Sequence, residues 1–179
     1  MKDRVRTVIW MLDETIVTET PPLYSCYGPI GEQVRVPISG SHAKRVLHGA
    51  MNIRSGDLAL LITEDWTRDS HEAFLRLIRA HWRGWNLVVF EDRATPHKSA
   101  RAWAWETLKI ETRLLPRATS ELNAMDHLWR HTKREALGDR ETQSIATSAL
   151  AACQYLIDLS PHDRLQTAGV LSGRFWLNL

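Results

Sequence analysis

The segment NLVVFEDRATPHKS, residues 86–99, decides how the chain is interpreted. Its apolar run, residues 86–90, predicts a buried strand, and the run ends abruptly in Glu91 and Asp92. In open α/β sheets, ligands bind beyond the ends of the strands. The segment therefore predicts either a solvated turn or one wall of a metal site.

Segments on both sides of this one predict an α/β fold, with a mixed central sheet flanked by helices. The predicted strands cover residues 6–12, 32–37, 44–52, 58–63, 86–90 and 110–115. One predicted helix begins after Asp69 as its N-cap, and others cover residues 99–108, 121–137 and 142–159. The first strand is expected to end at Asp13 and Glu14. A meander of strands followed by alternating strands and helices is typical of a mixed sheet.

Composition limits the classes of protein to which the chain can belong. It has 179 residues, 44% hydrophobic and 25% charged, as in one globular domain. No segment has the length of a membrane span or the pattern of a signal peptide, so we expect a cytoplasmic protein. Cys26 and Cys153 are far apart, and their spacing predicts neither a zinc site nor a disulfide. The net charge of +2 permits a nucleic-acid partner without requiring one.

Three acidic residues are candidates for metal binding. Asp13 and Asp92 follow apolar strands, and Asp126 lies in the first turns of a predicted helix. Carboxylates that converge would repel one another unless they bound hard cations such as Mg²⁺ or Mn²⁺, and two such ions support phosphodiester chemistry. The alternative is that each acid is a solvated cap. Spacing does not decide between Asp13 and Glu14, or between Glu91 and Asp92.

Three segments, in order, resemble the catalytic domains of DDE transposases of bacterial insertion sequences related to mariner elements. These segments are WMLDET (10–15), VVFEDRATPHKS (88–99) and LLPRATSELNAMDHLWRHTKRE (114–135). The resemblance implies an RNase H-like fold and selects Asp13, Asp92 and Asp126 as the catalytic, metal-binding triad. It also implies two bound ions, Mg²⁺ or Mn²⁺.

The resemblance implies that residues 1–179 are a single DDE endonuclease domain. Its implied activity is cleavage of transposon-end DNA and strand transfer into target DNA at TA dinucleotides, in association with the bacterial nucleoid. Implied partners are double-stranded DNA, a second copy of the chain, and a separately encoded N-terminal part. That part would supply the helix-turn-helix domains that family members carry before the first aspartate.

Two other interpretations remain open. Arg93 stands where the family commonly has asparagine, which favours a truncated, inactive remnant that binds DNA or a full-length transposase without cutting. The third is a stand-alone nuclease with the same fold.

Basic residues close to the motifs are candidates for DNA binding. They are Lys44, Arg45, Arg93, His97, Lys98, Arg130, Lys133 and Arg134. Cations beside a metal site can hold phosphates, although solvated basic faces have the same pattern. For His97, orientation of the site is the alternative to contact with DNA.

Overall fold

Five strands form one mixed sheet at the centre of the fold. The computed structural model describes residues 6–25, 27–32, 34–37, 40–140 and 144–177. The strands are β1 (Thr7–Thr18), β2 (Lys44–Asn52), β3 (Leu58–Thr63), β4 (Asn86–Glu91) and β5 (Ile110–Leu114). Their order is β3-β2-β1-β4-β5; β1, β2 and β3 pair antiparallel, and β4 and β5 run parallel to β1. The predicted mixed sheet is confirmed.

Helices cover both faces of this sheet. They are α1 (Arg68–His81), α2 (Thr95–Leu108), α3 (Ala124–Thr132), α4 (Ile145–Asp158) and α5 (Pro161–Thr167). One apolar core lies between the sheet and α1 and α2, and the other lies between the sheet and α3, α4 and α5. None of the helices among the described residues is long and apolar enough to cross a membrane.

Alternation along β1 determines which side chains face each core. Trp10 and Leu12 belong to the core under α1 and α2, whereas Met11 belongs to the core under α3 and α4. Successive side chains of a strand point to opposite faces of the sheet. Asp13 therefore lies on the α3 side, and Glu14 lies on the side of α1 and α2.

Two strand predictions were wrong. β1 does not end at Asp13 and Glu14 but continues to Thr18, because both residues pair with β2 and the Glu14 carboxylate lies 3.1 Å from His48 Nδ1. The predicted strand at 32–37 is absent from the described residues Glu32 and 34–37, which are exposed or half-buried and pair with no strand. Gln33 lies outside the described residues.

The first two helices begin at other residues than predicted. Thr67, not Asp69, caps α1, because the Thr67 hydroxyl accepts a hydrogen bond from the Ser70 backbone N–H at 3.2 Å. The second helix begins at Thr95, four residues earlier than expected, with Pro96 in its first turn. Proline suits that position because its missing N–H would have no partner there.

The later helices differ from prediction in their boundaries and number. The helix expected over 121–137 begins at Ala124 with Asn123 as its cap, and α3 ends in a widened turn over Lys133–Leu137. α4 begins at Ile145, since Ser144 caps it, and residues 141–143 lie outside the described residues. The predicted stop at Ser160 and 161 agrees with the end of α4 at Asp158, but the same two residues also begin α5, which was not predicted.

Candidate metal centre

The three predicted aspartates line one cleft. Asp13 lies within β1, Asp92 directly follows β4, and Asp126 lies in the first turn of α3. β1 and β4 are parallel neighbours in which Met11 pairs with Phe90, so Asp13 and Asp92 lie at the same level of the sheet. All three residues line a cleft with a volume of about 490 Å³. The structure thus brings the predicted triad together.

Two side-chain hydrogen bonds hold α3 against β1. The Asn123 side-chain amide donates to the Leu12 carbonyl at 2.9 Å, and its oxygen accepts from the Met125 backbone N–H at 3.0 Å. The Trp129 indole N–H donates to the Asp13 carbonyl at 3.3 Å. These contacts fix the first turn of α3, and with it Asp126, beside Asp13.

Gly49 allows this close packing. It lies opposite Asp13 in the register of β1 and β2. A Cβ atom at this position would lie 2.5 Å from the Trp129 ring and 2.6 Å from the Met125 methyl group. Any larger residue would therefore push α3 away from the sheet and Asp126 away from Asp13.

The cleft concentrates negative charge. Burial, followed by the charges of Glu14, Asp126 and Asp92, raises the pKa of Asp13 to about 8. The pKa of Asp92 shifts in the opposite direction, because a hydrogen bond from His97 lowers it. A divalent cation between these carboxylates would relieve the repulsion, and oxygen ligands of this kind suit Mg²⁺ and Mn²⁺.

A buried cluster of histidines and glutamates lies on the opposite face of β1. We call it the His–Glu cluster; its members are Glu14, His48, His71, Glu91 and His97. Each of these side chains is at most 2% exposed. The sequence analysis selected His97 and considered Glu14 and Glu91 only as alternatives to the neighbouring aspartates. The signal for His48 and His71 was weak, since each is a single polar residue among buried positions of β2 and α1.

Glu14 is the centre of the His–Glu cluster. Its carboxylate oxygens lie 3.1 Å from His48 Nδ1, 3.5 Å from His71 Nδ1 and 3.0 Å from His97 Nε2. Burial would raise the pKa of Glu14, but the three histidine contacts outweigh it and hold that pKa well below its ordinary value. Glu14 therefore carries its charge inside the protein.

His97 connects the His–Glu cluster to the triad. Its Nδ1 lies 2.7 Å from Asp92 Oδ1, on the ring edge opposite Glu14. Burial alone would lower the pKa of His97, but Asp92 and Glu14 raise it to about 11. The ring is fully buried, so the structure does not place it where DNA could contact it. Its position matches the alternative role, orientation of the site.

Some of the predicted basic residues lie at the cleft. Arg93 and Lys98 line it, and so does Arg117, which the sequence analysis did not select. The Arg93 Nε donates to the Leu115 carbonyl at 2.9 Å, along the wall of the cleft. Arg130 forms an ion pair with Asp126 and donates to the Ser120 hydroxyl at 3.2 Å.

The other predicted basic residues lie away from the cleft. Lys44 pairs with Thr18 in the register of β1 and β2, five residues along the strand from Asp13 and therefore about 16 Å away. Its neighbour Arg45 forms an ion pair with Glu64 at 3.5 Å.

Two further basic residues follow α3. Lys133 lines a different cavity, beside Ile16 and Thr18. Arg134 lies 3.7 Å from Glu135 on the surface. The structure does not bring either residue to the triad.

A mixed five-stranded sheet with an acidic triad beside its central strands defines the RNase H-like class. Within it, the chain belongs to the DDE superfamily endonucleases, whose sequence profile matches residues 8–147. No sequence among the curated proteins matches the chain.

Solved structures with a similar fold include the Mos1 mariner paired end complex with Mn. The TM-score is 0.69 at 16% identity, over 95% of this chain and 53% of that chain. The catalytic domain of Mos1 mariner transposase gives a TM-score of 0.61 at 15% identity, over 95% of this chain and 78% of that chain. This chain thus spans about half the length of the transposase in the paired end complex. At these identities the likeness establishes the RNase H-like fold predicted from the sequence.

Proposed function

We propose that the chain is the catalytic domain of a transposase. It cuts transposon-end DNA with the help of divalent metal ions and joins the freed 3′-hydroxyl to target DNA. The observation that carries this proposal is the convergence of Asp13, Asp92 and Asp126, from three separate elements, on one cleft. Family membership supports the same chemistry.

The residues of the cleft fit Mg²⁺ or Mn²⁺. All three candidate ligands are carboxylates, and Asp13 is held in surroundings where its own charge is unfavourable without a cation. Related solved complexes are described as containing Mn or Mg. We propose two ions, which when bound would activate the attacking oxygen and stabilise the leaving oxygen.

The chain's own residues would position the DNA strand. Asp13 and Asp92 line the cleft from the sheet side, and Asp126 lines it from α3. Lys98, Arg93 and Arg117 line the same cleft, at the place where the phosphates beside the scissile bond would lie. Contacts to phosphates position DNA without reading its sequence.

Recognition of the transposon ends therefore needs other surfaces. We propose that residues 1–179 form a single catalytic domain that works as a homodimer, with recognition of the ends by DNA-binding surfaces outside this domain. From the resemblance of the motifs to DDE transposases, we also expect insertion at TA dinucleotides. A chromosomal substrate implies a cytoplasmic, nucleoid-associated location in a bacterial cell.

The position of Arg93 favours an active enzyme over an inactive remnant. Its Nε–H donates to the Leu115 carbonyl, and among the described contacts Arg93 forms no ion pair with the triad. Arg93 therefore lines the cleft but pairs with none of the three carboxylates that would bind metal.

The test is DNA cleavage that depends on both metal and triad. Supercoiled plasmid is incubated with Mn²⁺ and the wild-type chain, Asp92→Asn or Asp158→Asn. Asp158 is an exposed acid at the end of α4 and serves as the matched control. Because nicking requires only the cleft, we expect metal-dependent nicking by the wild type and Asp158→Asn only. A folded wild type without activity, or equal activity of Asp92→Asn, would contradict the proposal.

A further inference from the structure

We propose that Glu14, His71 and His97 form a second, buried metal site that binds a divalent transition-metal ion, with zinc as the best match to its ligands. One carboxylate oxygen of Glu14 and one ring nitrogen of each histidine lie within 4.8 Å of one another. Two histidines and one carboxylate are a common ligand set for first-row transition metals. This site does not depend on whether the chain cuts DNA.

The spacing of the ligand atoms fits such an ion. Two atoms that are each about 2.1 Å from a tetrahedral ion lie about 3.4 Å apart. Glu14 Oε1 lies 3.1 Å from His97 Nε2 and 3.5 Å from His71 Nδ1. These two separations need to change by only a few tenths of an ångström to accommodate zinc, and the two ring nitrogens lie within 4.8 Å of each other.

His71 supplies an independent sign of a missing ligand. Both of its ring nitrogens and both oxygens of Glu91 are buried, and among the described residues none has a partner with hydrogen-bond geometry. His71 Nε2 nevertheless lies 3.2 Å from Glu91 Oε2, and both side chains are 0% exposed. Buried polar atoms are almost always satisfied, so these four atoms require an explanation.

His71 and His97 each lie between two carboxylates. Each has one nitrogen towards Glu14 and the other towards a second carboxylate, Glu91 or Asp92. Without an ion, a ring between two carboxylates carries a positive charge unless one of the carboxylates is protonated. The ring centroids of His71 and His97 are 4.5 Å apart, so these charges would be buried in contact. One dication bound by neutral imidazoles avoids that repulsion.

The outward contacts match those of metal-bound histidines. A histidine that binds a metal usually donates its other ring N–H to a carboxylate, a carbonyl or water, which fixes the ring. Here Asp92 lies 2.7 Å from the outer nitrogen of His97, and Glu91 lies 3.2 Å from that of His71. The ion would therefore orient Asp92 through His97, which makes His97 a positioning residue for the triad.

The buried metal site is separate from the cleft of the triad. Glu14 and Asp13 point to opposite faces of β1. On the Glu14 face, the Trp66 ring lies 5.9 Å from the His97 ring. The cysteines gave no sign of zinc binding, and none is needed, since all three ligands are histidine or glutamate. Mg²⁺, which prefers oxygen ligands, would favour the triad.

The test is the zinc content of the purified full chain. Protein from zinc-supplemented cultures is dialysed against Mg²⁺ with a weak chelator, and zinc is measured by mass spectrometry. We expect about one zinc per chain in the wild type, in Asp13→Asn and in His81→Gln, and at least a tenfold loss in His71→Gln. His81 is the matched control, because it lies exposed on the same helix. Loss of zinc in Asp13→Asn but not in His71→Gln would overturn the proposal.

A second measurement decides the question if His71→Gln does not fold. Wild-type chain in excess Mg²⁺ is titrated with Co²⁺, and its visible absorption is recorded. Four- or five-coordinate Co²⁺ with nitrogen ligands absorbs strongly, whereas six-coordinate Co²⁺ with oxygen ligands absorbs weakly. Strong bands that reach saturation at about one Co²⁺ per chain support the site. Weak bands only, or less than about a tenth of a zinc per wild-type chain, would show that protons alone hold the His–Glu cluster together.

Discussion

Asp13 is a proposed metal ligand whose burial among other acids also destabilises the metal-free fold. Its pKa in the fold is about 8, against an ordinary value of 3.8. An acid whose pKa is raised on folding contributes stability below its unfolded pKa, and this contribution is lost as the pH rises to the folded pKa. In metal-free protein, Asp13 should therefore lower the free energy of unfolding progressively between about pH 4 and pH 8.

We predict that Asp13→Asn stabilises the metal-free chain at pH 8 and abolishes Mn²⁺ binding at the triad. The pKa shift corresponds to a gain on the order of 2 to 5 kcal/mol at pH 8, and to a much smaller gain at pH 4. Urea unfolding of both proteins across this range measures it. Because His97 and Asp92 titrate in both proteins, the difference between the two isolates Asp13. A difference that does not change with pH would contradict the prediction.

Arg130 pairs with Asp126 and would compete with a metal ion for its carboxylate. The two residues form an ion pair one helical turn apart, with the Arg130 side chain 58% exposed. Exposed pairs contribute up to about 1 kcal/mol. We predict that Arg130→Gln binds Mn²⁺ about two- to fivefold more tightly than the wild type, as measured by calorimetry.

The control for Arg130 is Arg134→Gln. It removes the same charge one turn further along, where the partner is Glu135 and not the triad. A similar gain in affinity from Arg134→Gln would mean that net charge, not the ion pair with Asp126, is responsible.

At the scale of elements, Asn123 couples the stability of α3 to the geometry of the triad. Its side chain caps α3 and also donates to the Leu12 carbonyl, one residue before Asp13. We predict that Asn123→Ala lowers the free energy of unfolding by about 2–3 kcal/mol, from a lost cap and an unsatisfied buried carbonyl. Affinity for Mn²⁺ should fall as well, because Asp126 is no longer held beside β1.

Ser144→Ala provides the comparison for Asn123. Ser144 caps α4 through the Thr147 N–H at 3.2 Å and does not contact the cleft. Its loss should cost about 1 kcal/mol in urea unfolding and leave Mn²⁺ affinity unchanged. Equal losses of metal affinity in both variants would mean that α3 is positioned by global stability and not by its cap.

The same elements show what the sequence could predict. The strands over 44–52 and 58–63 were predicted to the residue, because their apolar runs are bounded by polar residues or a turn. Strand ends and a helix start marked the three candidate aspartates, but the resemblance to DDE transposases, and not spacing, selected Asp13 over Glu14 and Asp92 over Glu91. The start of α3 was misplaced, since Ser120 and Asn123 are both good caps and only contact with Leu12 selects Asn123.

The His–Glu cluster was missed for a different reason. Its residues come from β1, β2, α1, β4 and α2, and they meet only after the sheet and the two helices have packed. No local pattern records that Glu14, and not a neighbouring apolar residue, is the common partner of His48 and His71. Long-range convergence of polar residues of this kind depends on tertiary packing, which periodicity does not encode.

At the scale of the whole molecule, β1 lies between two charged sites, one on each face of the sheet, which differ in their exposure to solvent. The His–Glu cluster is sealed between the sheet and α1 and α2, whereas the triad opens to solvent on the α3 side. Proton loss from Asp13 therefore leaves uncompensated negative charge in the cleft, which a divalent ion can neutralise. The stability of the fold and metal binding at the triad should then depend on pH together.

We predict that a fixed Mg²⁺ concentration raises the melting temperature more at pH 8 than at pH 6. Below the Asp13 pKa of about 8, binding must displace a proton. Affinity should then fall about tenfold per pH unit, and stabilisation by a bound ion falls with it. Scanning fluorimetry with Mg²⁺ against chelator measures both values. In Asp13→Asn, Mg²⁺ should raise the melting temperature no more at pH 8 than at pH 6. An equal Mg²⁺ effect at both pH values in the wild type would mean that Asp13 is already ionised at pH 6, and that the neighbouring carboxylates do not control metal binding.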